Sequence, residues 1–160
     1  IEKEADEGVS SLLAICIELM TVASACEESE IAKDFFLSTY SSPVCLDYIR
    51  KSAVERAKII FTEYCDGWTD EQYAEAEILI SGINYATLMT TESPATLETR
   101  IRGALNQTML IYNVPEKIRN QKIEKVLSIN CRELGNRIFK EFIKYVDECA
   151  ENALKDALFK

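Results

Sequence analysis

Apolar residues recur along this chain at helical spacing. Val9, Leu12, Leu13, Cys16, Ile17, Met20 and Ala23 follow the i, i+3, i+4, i+7 rhythm of one helical face and predict a helix from about Glu2 to Ala25. Ile31, Phe35 and Phe36 predict a short helix from Glu28 to about Tyr40. Ser42-Pro43 then sets an N-cap residue before a proline at the first helical position, a strong start signal. The helix it opens is apolar at Val44, Leu46, Ile49, Val54, Ala57, Ile60, Phe61 and Tyr64, and Asp66-Gly67 ends it. Thr69-Asp-Glu-Gln72 has the capping-box form and launches the next helix.

That next helix holds the most informative stretch. Ile78 to Thr91 contains no charged residue, although 28% of the chain is charged. Apolar residues at 78, 79, 80, 83, 85, 86, 88 and 89 cover the whole circumference on a 3.6-residue period, and a helix apolar all round is buried all round. With Ser81, Asn84, Thr87, Thr90 and Thr91 inside it, the run is too short and too polar to span a membrane. It reads as the central helix of a helical domain. Its embedded polar groups need partners in the protein or in a ligand. Asn84, Tyr85 and Thr87 either bond neighbouring helices or line a cavity, with Met89, Phe61, Tyr64 and Trp68 as apolar walls.

Ser93-Pro94 predicts another helix, apolar at Leu97, Ile101, Ala104, Leu105, Met109 and Tyr112. Asn113-Val-Pro115 breaks it and opens one with Ile118, Ile123, Val126 and Leu127. Asn130-Cys-Arg-Glu133 is a second capping box, starting a final helix from Cys131 to Leu158, roughly 40 Å long. Its stripe is Leu134, Ile138, Phe142, Val146, Cys149 and Ala153, widened by Phe139, Ile143 and Leu154. No segment shows sustained period-two alternation. The expected fold is all-α, six to eight helices in an orthogonal or antiparallel bundle, with residues 1–160 forming one domain.

Composition narrows the function. With 27 acidic and 18 basic residues the net charge is −9, and no basic stripe could neutralise phosphates, so the chain is not expected to bind DNA by itself. The absence of histidine removes Ser-His-Asp and Cys-His arrangements, HExxH zinc sites and the Glu-x-x-His di-iron motif. The five glycines are scattered and form no phosphate loop. Glu27, Glu28 and Glu30 read as a solvated turn, and the other carboxylates as outward helix faces. No catalytic residue, metal ligand or cofactor is nominated. The six cysteines form no CxxC pair and read as free thiols packed as small hydrophobes. Cys131, at a helix start beside Arg132, is weighed as a redox-sensing thiol against a half-buried packing residue. Neither a secretory signal nor a long apolar span is present, which leads to the expectation of a soluble cytoplasmic protein with no membrane partner. Beginning at Ile1 in helical sequence suggests a chain cut from something longer.

Three segments carry a family resemblance: Phe35-Phe-Leu-Ser-Thr-Tyr-Ser-Ser-Pro-Val44; Trp68 to Tyr85 with its small residue Gly82; and Leu97-Glu-Thr-Arg-Ile-Arg-Gly-Ala-Leu105 continuing to Tyr112-Asn-Val-Pro-Glu116 and the helices to Leu158. Together they resemble the C-terminal ligand-binding and dimerisation domain of the tetracycline-repressor (TetR) family of bacterial transcriptional regulators. The resemblance implies a small, moderately apolar effector bound among the helices, which changes operator affinity. It implies a homodimer, and contact with operator DNA through an N-terminal helix-turn-helix domain that is missing here. By location, the ligand-binding candidates are Ile17, Phe36, Phe61, Tyr64, Asn84, Tyr85, Met89 and Thr108. The family pairs subunits through its late helices, which points to Leu97, Ile101, Leu105, Leu134, Ile138, Phe142 and Val146 as dimer-interface candidates.

Two other classes stay open. One is a ligand-free helical protein-interaction module, which a dry interior around Asn84 and Tyr85 would favour. The other is an enzyme using clustered carboxylates and a metal, which would need inward Asp or Glu side chains converging within a few ångströms.

Overall fold

The computed structural model describes the backbone of residues 10–158 and the side chains of residues 10–145 and 147–148. Among these lie seven helices and no strand: α1 (Ser11–Glu28), α2 (Glu30–Ser41), α3 (Pro43–Ile60), α4 (Asp70–Met89), α5 (Leu97–Ile111), α6 (Glu116–Leu127) and α7 (Cys131–Leu158). The all-α expectation of six to eight helices holds.

Local chemistry sets most boundaries. The Ser10 hydroxyl accepts from the Leu13 N–H and starts α1. The portion of the first helix expected before Ser10 lies outside the described residues. Ser29 serves two helices: its N–H donates to Ala25 O at 2.9 Å and its hydroxyl accepts from Ala32 N–H at 3.3 Å. Ser42 caps α3, with Pro43 in the first turn. The Thr69–Gln72 capping box forms in both directions, Gln72 Oε1 accepting from the Thr69 N–H at 2.9 Å. Gly67, just before it, takes a left-handed φ of 75°, which glycine adopts without a Cβ penalty. Asn113 takes φ 57° between α5 and α6, a conformation its short polar side chain tolerates.

One expected start is displaced, and one expected capping box has a different bond, although its helix begins at Cys131 as expected. Pro94 sits in the turn before α5, which Thr96 caps instead, accepting from the Thr99 N–H. At Asn130 the reciprocal capping bond is replaced by Asn130 Nδ2 donating to Glu133 Oε2, while Asn130 Oδ1 accepts from the Glu133 N–H.

The packing corrects the expected hub. The helix that touches the most neighbours is α1, which lies against α2, α4, α5, α6 and α7. From Ser10 to Cys26 it carries one charge, Glu18, and it buries Leu12, Leu13, Cys16, Met20, Ala23, Ala25 and Cys26. Its small residues let α7 approach: a Cβ on Gly135 would lie 2.6 Å from the Thr21 carbonyl oxygen. By contrast, α4 is not buried all round. Tyr73, Ala76, Glu77, Ile80, Ser81, Thr87 and Leu88 face inward, whereas Ile78, Leu79, Gly82, Tyr85 and Ala86 are exposed. Lack of charge on this outer face had the same sequence signature as burial.

Arg100 ties three helices together, donating to Glu27 of α1 and, at 2.8 Å, to the Thr87 carbonyl of α4. Among the described residues no helix is long and apolar enough to cross a membrane.

Candidate functional site

A cavity of about 180 Å³ lies between α1, α2, α3, α4 and α5. Ile15, Leu19 and Val22 of α1 form one wall, and Ile80 and Leu88 of α4 with Leu105 of α5 form another. Phe36 of α2 and Phe61, just past α3, add aromatic surface. The helical period explains the α4 contribution: Glu77, Ile80, Ser81, Asn84 and Leu88 fall on one face and all line the cavity.

Polar groups are set into this apolar lining. Tyr112 is fully buried, stacks on Phe61 at a ring separation of 4.0 Å, and donates its phenol hydrogen to Glu77 Oε1. Burial pushes the Glu77 carboxyl above the usual carboxylate range, against the opposing effects of the Tyr112 hydrogen bond and the Arg56 charge. Tyr112 itself is pushed well up, chiefly by burial and then by its bond to Glu77. Burial also raises the Tyr40 phenol, with the nearby Asn84 amide acting in the opposite direction.

The basic side chains differ in their pairing. Arg56 bridges to Glu18 at 2.8 Å, and both are about half exposed, so they mark the side of the cavity that reaches solvent. Arg50 is half-buried, and its Nε donates to Ser81 Oγ at 3.0 Å. Ser81 in turn donates to the Ile78 carbonyl at 2.8 Å, which fixes its hydroxyl as the acceptor for Arg50. Among the described residues no carboxylate forms an ion pair with Arg50. Thr108 also lines the cavity; it is buried, and its hydroxyl has no hydrogen-bond partner among the described residues.

Of the ligand-binding residues expected from sequence, the structure brings Phe36, Phe61, Asn84 and Thr108 to this cavity. Ile17, Tyr64 and Met89 instead pack partly buried against the core elsewhere. Tyr85 is a correction: it is 41% exposed on the outer face of α4 and meets the Tyr40 ring at 6.2 Å rather than lining the cavity. Sequence reasoning missed Arg50, Glu77, Ser81 and Tyr112. The signal for Glu77 was its phase, since it stands seven residues before Asn84 on the same helix face. Reading every carboxylate as solvated hid it.

The dimer candidates divide as well. Leu97, Ile101 and Leu105 are sealed in the core of the chain, which corrects their assignment to a dimer surface. Leu134 is half-buried, Ile138 and Phe142 are exposed, and the Val146 side chain lies outside the described residues. Phe35 of α2 meets Phe142 of α7 edge-on at 5.2 Å. Ile31 and Ile138, each one helical turn before one of these rings, are exposed as well.

Cys131 is buried rather than reactive. Its thiol points to the Val126 carbonyl at 3.9 Å, and desolvation raises it above the ordinary thiol range, opposite to what a helix start beside Arg132 suggested. Among the described residues no group of three or more Cys, Asp or Glu side chains is placed to hold a metal ion.

No family model, no curated protein and no solved structure matches this chain.

Proposed function

We propose that this chain is the effector-sensing, dimerising part of a TetR-type transcriptional regulator, in which a small, moderately apolar molecule changes operator affinity. One observation carries the reading: a cavity with polar groups set into apolar walls, bounded by α1, the helix with the most neighbours. In this reading α1 joins the sensing domain to a separate helix-turn-helix domain that contacts DNA. A ligand touching Ile15, Leu19 and Val22 favours one placement of α1 over another, which is what coupling between two sites requires. The net charge of −9 suits a sensing part that leaves DNA contact to another domain. The homodimer is assigned to the exposed patch of Ile31, Phe35, Ile138 and Phe142. The assigned compartment is the cytoplasm.

The test combines light scattering with thermal unfolding against a set of single-ring compounds. The reading expects a dimer at micromolar concentration, a saturable rise in melting temperature with at least one compound, and slower amide exchange in α1 when that compound is bound. A monomer that no compound stabilises would overturn it.

The ligand-free interaction module keeps one supporting observation, the uncharged outer face of α4 with Ile78, Leu79 and Tyr85 exposed. It expects partner binding that is indifferent to filling the cavity.

A further inference from the structure

Two acids and two bases line the cavity, Glu18, Glu77, Arg50 and Arg56, but they are not all paired, and the unpaired cation indicates what enters. Glu18 is taken by Arg56 at 2.8 Å. Glu77 accepts the Tyr112 phenol hydrogen and forms no ion pair with Arg50. Arg50 then remains, held through Nε by Ser81, with its terminal guanidinium nitrogens unpaired to any carboxylate among the described residues. A half-buried cation between apolar walls is stabilised by an anion with matching geometry, and a guanidinium presents paired N–H donors that fit a carboxylate.

A second group points the same way. The buried Thr108 hydroxyl lines the cavity with no hydrogen-bond partner among the described residues, so a ligand's polar atom can satisfy it. The remaining surface is hydrocarbon, from Leu19, Phe61, Ile80, Leu88 and Leu105. The size is also restrictive. A cavity of roughly 150 Å³ accommodates benzene, so about 180 Å³ suits one ring and a small substituent.

We infer that the cavity takes a small organic monocarboxylate, its anion on the terminal nitrogens of Arg50 and its body, about one ring in size, between Phe61, Leu88 and Leu105. This rests on the cavity being the effector site and names the chemical class of the effector. Arg56 is a poor alternative anchor because Glu18 already occupies it. A cationic ligand is disfavoured because Glu77, the buried carboxyl among the described residues, is engaged by Tyr112 and lies in the field of Arg56.

The experiment is calorimetric titration of the whole chain with benzoate and phenylacetate, each beside its neutral amide, and with benzyl alcohol as an uncharged control. At least one acid should bind ten-fold or more tightly than its amide. Arg50→Gln should remove that ten-fold preference while leaving amide and alcohol binding within about two-fold, and Arg50→Lys should recover part of it. Circular dichroism of the variants checks that they are folded, and unchanged amide binding is a second check. Equal binding of acid and amide, or an acid preference that survives Arg50→Gln, overturns the carboxylate proposal and leaves the sensing function standing. If acids, amides and alcohol all fail to bind wild-type chain, the sensing reading falls with it.

Discussion

The Tyr112 phenol donates to the Glu77 carboxyl in the interior, and so joins the end of α5 to the inner face of α4. Both groups are buried. Tyr112→Phe keeps the ring stacked on Phe61 but leaves the Glu77 carboxyl short of a donor. The expected cost is about 1–3 kcal/mol, read as a lower urea midpoint with an unchanged slope. A midpoint equal to wild type would mean the bond contributes nothing net.

The same pair gives the chain a pH dependence of defined sign. Burial raises Glu77 from its ordinary value of 4.5, so the folded state holds a proton that the unfolded state releases. Stability from this group is fully present below about pH 4.5 and declines as pH rises through the folded value. The groups facing Glu77 are Tyr112 at the end of α5, Arg56 of α3, and Tyr40 of α2, whose phenol also feels Glu18 of α1. Glu77→Gln stays neutral and can still accept from Tyr112. Urea midpoints measured from acid to neutral pH should fall less in Glu77→Gln than in wild type, and the two proteins should converge at low pH. Parallel curves would contradict the assignment.

Two glycines should answer the same substitution with opposite signs. A Cβ at Gly135 meets the Thr21 carbonyl oxygen at 2.6 Å, so Gly135→Ala must push α7 off α1. The expected loss is about 1–3 kcal/mol, in the range of overpacked cores. A Cβ at Gly82 meets nothing within 4 Å in the middle of α4. Gly82→Ala should gain about 0.5–1 kcal/mol from the better helix former. Thermal unfolding of both variants checks the pair, and a shift of the same sign in both would show that α7 docks otherwise.

The contrast between these glycines also shows what the sequence made legible. Capping at Ser42 and Thr69 rests on residues a few positions apart, so helix number and most boundaries could be read directly. The hub could not. Residues Ile78 to Thr91 looked buried because they lack charge, but an uncharged outer face at Ile78, Leu79 and Gly82 has the same pattern as a buried one. The more deeply enclosed helix, α1, carries Glu18 in mid-helix, and that charge sits where α1 meets solvent. Phe61 and Asn84 could be nominated because they are apolar or neutral polar groups in apolar surroundings, and Thr108 only through its location in the family resemblance. Arg50 and Glu77 could not, since a charged residue on a helix is ordinarily solvated and only the packing of α3 against α4 turns these two inward.

For the proposed dimer, the decisive side chains are on α2 and α7. Phe35 is 44% exposed and lies against Phe142, so Phe35→Glu adds a charge to the patch without entering the core. Light scattering should show a monomer for Phe35→Glu where wild type is a dimer, with helical content unchanged. A Phe35→Glu dimer would move the interface elsewhere, the outer face of α4 being the next apolar surface.

The central claim is that the cavity between α1 and α5 holds a small molecule. Ala53 lines that cavity from α3 and is only half-buried, so Ala53→Phe can place a ring in the space with little disturbance of the surrounding core. The direct measurement is calorimetric titration of wild type and Ala53→Phe with benzoate, phenylacetate and benzyl alcohol. The account expects saturable binding of one molecule per wild-type chain and its loss in Ala53→Phe. Absence of saturable binding to wild type, or binding that Ala53→Phe leaves unchanged, would contradict it.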